Sequence, residues 1–136
     1  MRPIVVCASV MMLALGALVS GCGTTMCPAI GWFNTVNVQL DVSDAARIEL
    51  CAEGKCTSHD DHQDAQESIP YSVERVSESS WKVQLGMSTP DHAVIRAYSP
   101  SDHVLARERV TLDWVRVGGT EECGGPHEAD VTISIQ

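Results

Sequence analysis

Apolar and polar residues alternate along several short stretches of this chain. Val36, Val38, Leu40 and Val42 fall on one side of an extended segment, with Asn37, Gln39 and Asp41 on the other. Successive side chains of a strand point to opposite faces, so a two-residue period predicts a half-buried β-strand. Ile48 and Leu50 repeat the pattern against Arg47 and Glu49. Val73 and Val76 indicate a further strand near Tyr71, and Trp81, Val83, Leu85 and Met87 alternate with Lys82, Gln84 and Gly86. Residues 92–99 form a mixed apolar strand. Val104, Ala106, Glu108, Val110 and Leu112 line one side of the next segment, where Glu108 breaks the apolar phase and points to a bulge. Val115 and Val117 extend that segment to Gly118-Gly119, and Val131, Ile133 and Ile135 close the chain.

These are about seven strands. Pro100-Ser101-Asp102 reads as a hairpin turn, and Gly118-Gly119 and Gly124-Gly125-Pro126 mark others. No segment carries a 3.6-residue period. Short strands with regular turns and no helices predict an all-β fold, a single antiparallel β-sandwich. In strand number and length it resembles immunoglobulin-like and transthyretin-like sandwiches. It departs from the immunoglobulin pattern: Trp81 lies 30 residues after Cys51, and Glu121 stands where a tyrosine would precede Cys123 by two.

The first residues follow a different rule. Met1-Arg2-Pro3 is a short positive start, and residues 4–19 are apolar apart from Ser9. Sixteen residues suit the apolar region of an export signal and are short for a spanning helix. Val19-Ser20-Gly21-Cys22 follows. This quartet resembles a lipobox, the processing pattern of bacterial lipoproteins, with Val19 where the family more often has Leu. The resemblance implies cleavage before Cys22 and diacylglycerol on the Cys22 thiol. It divides the chain into a signal peptide (residues 1–21), a lipidated tether (22–33) and the sandwich domain (34–136). It also implies attachment to the cell membrane on the extracytoplasmic face. Gly23 after Cys22 would permit the outer membrane of a two-membrane cell. The tail, Val115-Arg116-Val117-Gly118-Gly119 and Cys123-Gly124-Gly125-Pro126, resembles parts of small uncharacterised actinobacterial lipoproteins.

Removal of the leader leaves 115 of the 136 residues, the size of one domain. The whole chain carries 9 basic and 18 acidic residues. Arg2 is the only charged residue before Cys22, so loss of the leader makes the balance one unit more acidic. Such a surface lacks the cations that displace counterions from phosphate, which argues against nucleic acid as a partner. It also argues against a polybasic lipid contact. A membrane partner would be reached through the lipid, and a protein or envelope partner through loops.

Cys27, Cys51, Cys56 and Cys123 remain after Cys7 is discarded with the leader and Cys22 is acylated. Four cysteines outside the cytoplasm read as two disulfides, with three pairings open. Cys51 and Cys56 flank a short glycine-containing turn at hairpin spacing, which leaves Cys27 with Cys123. Closing that long loop is worth about 4–5 kcal/mol on the chain-entropy view.

The most polar stretch is 57–68, holding His59, Asp60, Asp61, His62, Asp64 and Glu67 without Lys or Arg. Imidazole and carboxylate are metal ligands, so His59, Asp61 and His62 form a candidate weak metal site beside the plainer reading of a solvated acidic loop. Adding Cys51 and Cys56 gives Cys-x4-Cys-x2-His-x2-His, a tetrahedral set only where thiols stay reduced. Trp32, Trp81 and Trp114 read as structural. His92, His103 and His127 are scattered, and no Gly-x-Ser-x-Gly, His-Glu-x-x-His or phosphate-binding glycine loop occurs. The expectation is a non-catalytic binding module without a cofactor.

Overall fold

The computed structural model describes residues 23, 25–41, 44–57 and 71–134. Val42, Ile135, Cys22 and the 59–62 cluster lie outside the described residues. The described chain is a sandwich of two packed β-sheets, with nine strands in order β1 (Thr35–Leu40), β2 (Arg47–Ala52), β3 (Lys55–Cys56), β4 (Ser72–Arg75), β5 (Ser80–Gln84), β6 (His92–Tyr98), β7 (Val104–Thr111), β8 (Val115–Arg116) and β9 (His127–Ile133). Seven of them are four residues or longer. One sheet runs β4-β5-β1-β9-β8 and the other β3-β2-β6-β7.

The two-residue period positions the core. Val36, Val38 and Leu40 on β1 face Ile48, Leu50 and Ala52 on β2, Ala93, Ile95 and Ala97 on β6, all buried. Trp81, Val83 and Leu85, then Ala129, Val131 and Ile133, complete the layer of the first sheet. β1 is central there. Val36 lies between Val83 and Ala129, and Val38 between Trp81 and Val131. The pairings are antiparallel with one exception: β1 runs parallel to β9 over six register pairs.

Four local expectations are corrected. Val76 and Met87 are exposed, because β4 ends at Arg75 and β5 gives way to a turn. β9 starts four residues before Val131 and buries Ala129, an apolar position too small to stand out by hydropathy. Val115 and Val117 do not prolong β7. The chain leaves that sheet at Leu112, and β8 joins β9 in the other one, with both valines more than half exposed. The bulge falls at Leu105, because Ala97 pairs with Ala106 while Tyr98 pairs with Val104. Glu108 therefore keeps its inward phase opposite buried Ile95, and escapes to solvent through a cleft of about 400 Å³ beside Ser134. β7 is an edge strand, and an inward-pointing charge on an edge discourages a second chain from pairing there.

One buried polar residue fixes the start of β1. Asn34 is 1 % exposed. Its side chain donates to Ser88 O at 2.9 Å and accepts from His127 N at 2.8 Å. Its backbone N–H donates to Gly86 O and its carbonyl accepts from Leu85 N. Four bonds thus tie β1 to the β5–β6 turn and to the first residue of β9. Asn34→Ala should lower unfolding free energy by about 2–4 kcal/mol, because two partners lose their bond in a dry place. Asn37→Ala breaks only the exposed Asn37–Asp130 bond and should cost less than about 1 kcal/mol. Urea denaturation of the two variants measures both, and equal costs would contradict the role given to Asn34.

Candidate functional site

Glu53 and Gly54 both have positive φ, at 50° and 76°, forming the tight two-residue turn of a hairpin in which Ala52 pairs with Lys55 and Cys51 with Cys56. Cys51 and Cys56 are joined as a disulfide directly across that pair. The second disulfide links Cys27 to Cys123, 96 residues apart. Cys123 lies on a close hairpin where Thr120 N donates to Gly124 O and Cys123 N to Thr120 Oγ1. A side chain at Gly119 would run into the backbone at Gly124, and one at Gly124 would meet the Trp32 ring at 3.0 Å. Trp32 therefore packs over this hairpin. Trp114 packs against the core and donates from Nε1 to Pro90 O, and Trp81 is buried.

A Glu49 carboxylate oxygen, Cys51 Sγ and Cys56 Sγ lie within 4.8 Å of one another. The disulfide withdraws both sulfurs from metal ligation, including from the Cys51-Cys56-His59-His62 set. The Glu49 carboxylate is also engaged: Arg96 donates to Oε1 at 2.7 Å and Tyr98 to Oε2 at 3.1 Å. Arg47 stacks 3.7 Å over the Tyr98 ring and bonds Asp102 through Nε at 3.1 Å. This chain of contacts organises the outer face of β2 and β6 with its charges paired. His59, Asp61, His62 and Cys22 lie outside the described residues. His92, His103 and His127 stand on different segments, opening β6, preceding β7 and opening β9.

A concavity lies elsewhere, between β2 and β4. It is a cavity of about 570 Å³. Arg47 and Ile48 of β2, Val73 of β4, Trp81 of β5, and Ser99 and Asp102 of the β6–β7 turn line it, with Thr57 and Tyr71 at the other end. β3 is two residues long, and Thr57 continues its pairing by donating from its backbone N–H to Leu50 O. Two residues of the lining carry buried polar atoms with no hydrogen-bond partner among the described residues: Trp81 Nε1 and Tyr71 Oη. A buried unpaired donor costs about 1–3 kcal/mol, so native folds seldom leave one without a reason. Arg75 sits 5.0 Å over the Trp81 ring.

Burial pushes the Tyr71 hydroxyl above its ordinary pKa, and the negative charge of Glu53 adds to the shift; Ser88 opposes both without closing a full hydrogen bond. The sequence pattern did not mark this site. Arg47, Tyr71, Trp81 and Asp102 come from four segments that only the packed sheets bring together. The one local signal was an aromatic pair, Tyr71 and Trp81, flanking β4.

The Tyr71 shift has a direct consequence for stability. Above pH about 10 a tyrosine in the unfolded chain ionises while Tyr71 in the fold keeps its proton. The folded state then binds more protons, and stability falls as pH rises through the folded pKa. Tyr71→Phe should flatten this loss. Denaturation midpoints followed from pH about 9 to about 11 in both proteins test it, and parallel curves would contradict it. Comparison with protein-family models, curated proteins and solved structures finds no match for this chain.

Proposed function

We propose that this chain is a lipid-anchored, extracytoplasmic binding module. On this reading the leader is cleaved before Cys22, that thiol carries lipid, and the sandwich stands on the outer side of the cell membrane. It binds a ligand or an envelope partner without transforming it. The supporting observation is the pair of disulfides, Cys27–Cys123 and Cys51–Cys56, in one small domain. Such cross-links persist in oxidising compartments and are rare in the cytosol. The export-type leader and the Val19-Ser20-Gly21-Cys22 quartet agree with that compartment. Two or three acyl chains hold a protein on a bilayer far more durably than one. Four residues separate Cys22 from the disulfide-bonded Cys27, so an anchor on Cys22 keeps the domain near the bilayer.

Catalysis is not part of this reading. The three histidines among the described residues sit on separate segments, and the charges around Glu49 are spent on one another. The expected outcome is that Cys22→Ala loses acyl label and moves from the membrane fraction to the soluble one. The four mature cysteines should stay unreactive to alkylation without reductant. Unchanged membrane attachment of the variant would refute the anchor, and two free thiols would remove the support drawn from compartment.

A further inference from the structure

We propose that the end of the sandwich carrying the Cys27–Cys123 disulfide rests on the bilayer, with Met26, Ile30, Phe33, Met87 and Val117 entering the apolar margin of an uncharged lipid surface. The inference rests on the anchor at Cys22 and adds a second, non-covalent membrane contact to it. Eight large apolar side chains are exposed among the described residues, and they are unevenly placed. Val76 and Val104 stand toward the foot of β1: Val76 N donates to Ser80 O, Ser80 pairs with Gln39, and Val104 pairs with the last residue of β6. The other six are Met26, Ile30, Phe33, Met87, Val115 and Val117. They belong to segments that converge at the head of β1.

Bonds and contacts bring those segments together. Asn34, next to Phe33, donates to Gly86 O and Ser88 O on either side of Met87, and accepts from His127 N. A side chain at Gly31 would meet Met87 Sδ at 3.8 Å. Val117 N donates to Pro126 O, beside His127. Cys27 is bonded to Cys123. Residues 25–33 are thus clamped across this end, yet Met26 is 91 % and Ile30 68 % exposed. Apolar side chains gathered on one surface mark a contact with another apolar body.

The tether selects that body. Cys22 and Cys27 are five residue steps apart, which span at most about 18 Å when fully extended. The disulfide carries that limit to Cys123, so acylation of Cys22 turns this end of the domain to the bilayer. A protein partner would have to enter the narrow gap between the two. Apolar side chains that reach the headgroup boundary bind in proportion to the area they bury. Glu121 and Glu122 are exposed beside Cys123 and are repelled by anionic headgroups, so the surface that fits is zwitterionic.

The test uses the mature chain, residues 22–136, with Cys22 coupled to a maleimide lipid in phosphatidylcholine nanodiscs. Cys22 is the one thiol of that chain outside the two disulfides. Coupling installs the tether whether or not the cell acylates Cys22. Met26 and Met87 are the only methionines after the leader, so methyl-labelled methionine reports on the proposed face alone. Met26 is near the bilayer through the tether in any case, and Met87 is the diagnostic signal. A nitroxide on the lipid acyl chain should broaden the Met87 methyl resonance. It should leave sharp a Val104→Met reporter, which the six residues of β1 set about 20 Å away. Ile30→Asp puts a charge on the face and should return Met87 to the sharpness of that reporter. A sharp Met87 in the unaltered protein, equal broadening at 87 and 104, or no effect of Ile30→Asp overturns the proposal. A Met87 resonance that moves with protein concentration in lipid-free solution gives the face to a second copy and also overturns it. The anchor is judged separately by acyl label in cells: label on Cys22 beside a sharp Met87 refutes only the resting face, and an unlabelled Cys22 beside a broadened Met87 refutes only the anchor.

Discussion

One amide side chain decides where the central strand begins. Asn34 has all of its surroundings dry, and it survives burial because its side chain and its backbone are bonded on both donor and acceptor sides. An amide left unbonded there would cost more than most single contacts return. Its partners come from residues 85–88 and 127, so a local event at one residue fixes two distant segments against the first strand. From that point β1 runs between β5 and β9, and the inward rows of both sheets fall into register behind it.

The cavity follows from the same arrangement. β4 is carried on β5, while β2 belongs to the opposite sheet, and the strand beside it stops after two residues. The sandwich is closed by packed valine and isoleucine through its middle, and the cavity lies at this flank. At the other flank the edge strand β7 is guarded by Glu108, Arg107 and Arg109. The two sides of one small domain thus differ in kind, one charged against intruders and the other lined by mixed polar and apolar groups.

Most of the sandwich was legible by eye in the sequence. Val36, Val38, Leu40, Ile48, Leu50, Trp81, Val83, Val131 and Ile133 alternate with polar neighbours and are buried. Alternation reports which face a side chain takes, not which sheet its strand joins, and that is why Val115 and Val117 were assigned to the wrong neighbour. Ala93, Ala97 and Ala129 are buried yet add little hydropathic contrast. Asn34 looks like any polar residue between Phe33 and Thr35 until its two partner segments are in place. The cavity was illegible for a related reason: Arg47 and Trp81 are 34 positions apart, and only the packing of opposite sheets puts them around one space.

The Cys27–Cys123 bond changes how tension would pass through the molecule. With the bond absent, a pull between residues 23 and 134 would enter at the head of β1 and leave at the foot of β9. Parallel neighbours loaded in that sense slide, so six rungs would resist together. With the bond formed, the load crosses from Cys27 to Cys123 and travels down β9 alone, sparing every strand from β1 to β8. A covalent bypass of 96 residues makes a tug at the near end a matter for one strand and leaves the flank cavity unstressed.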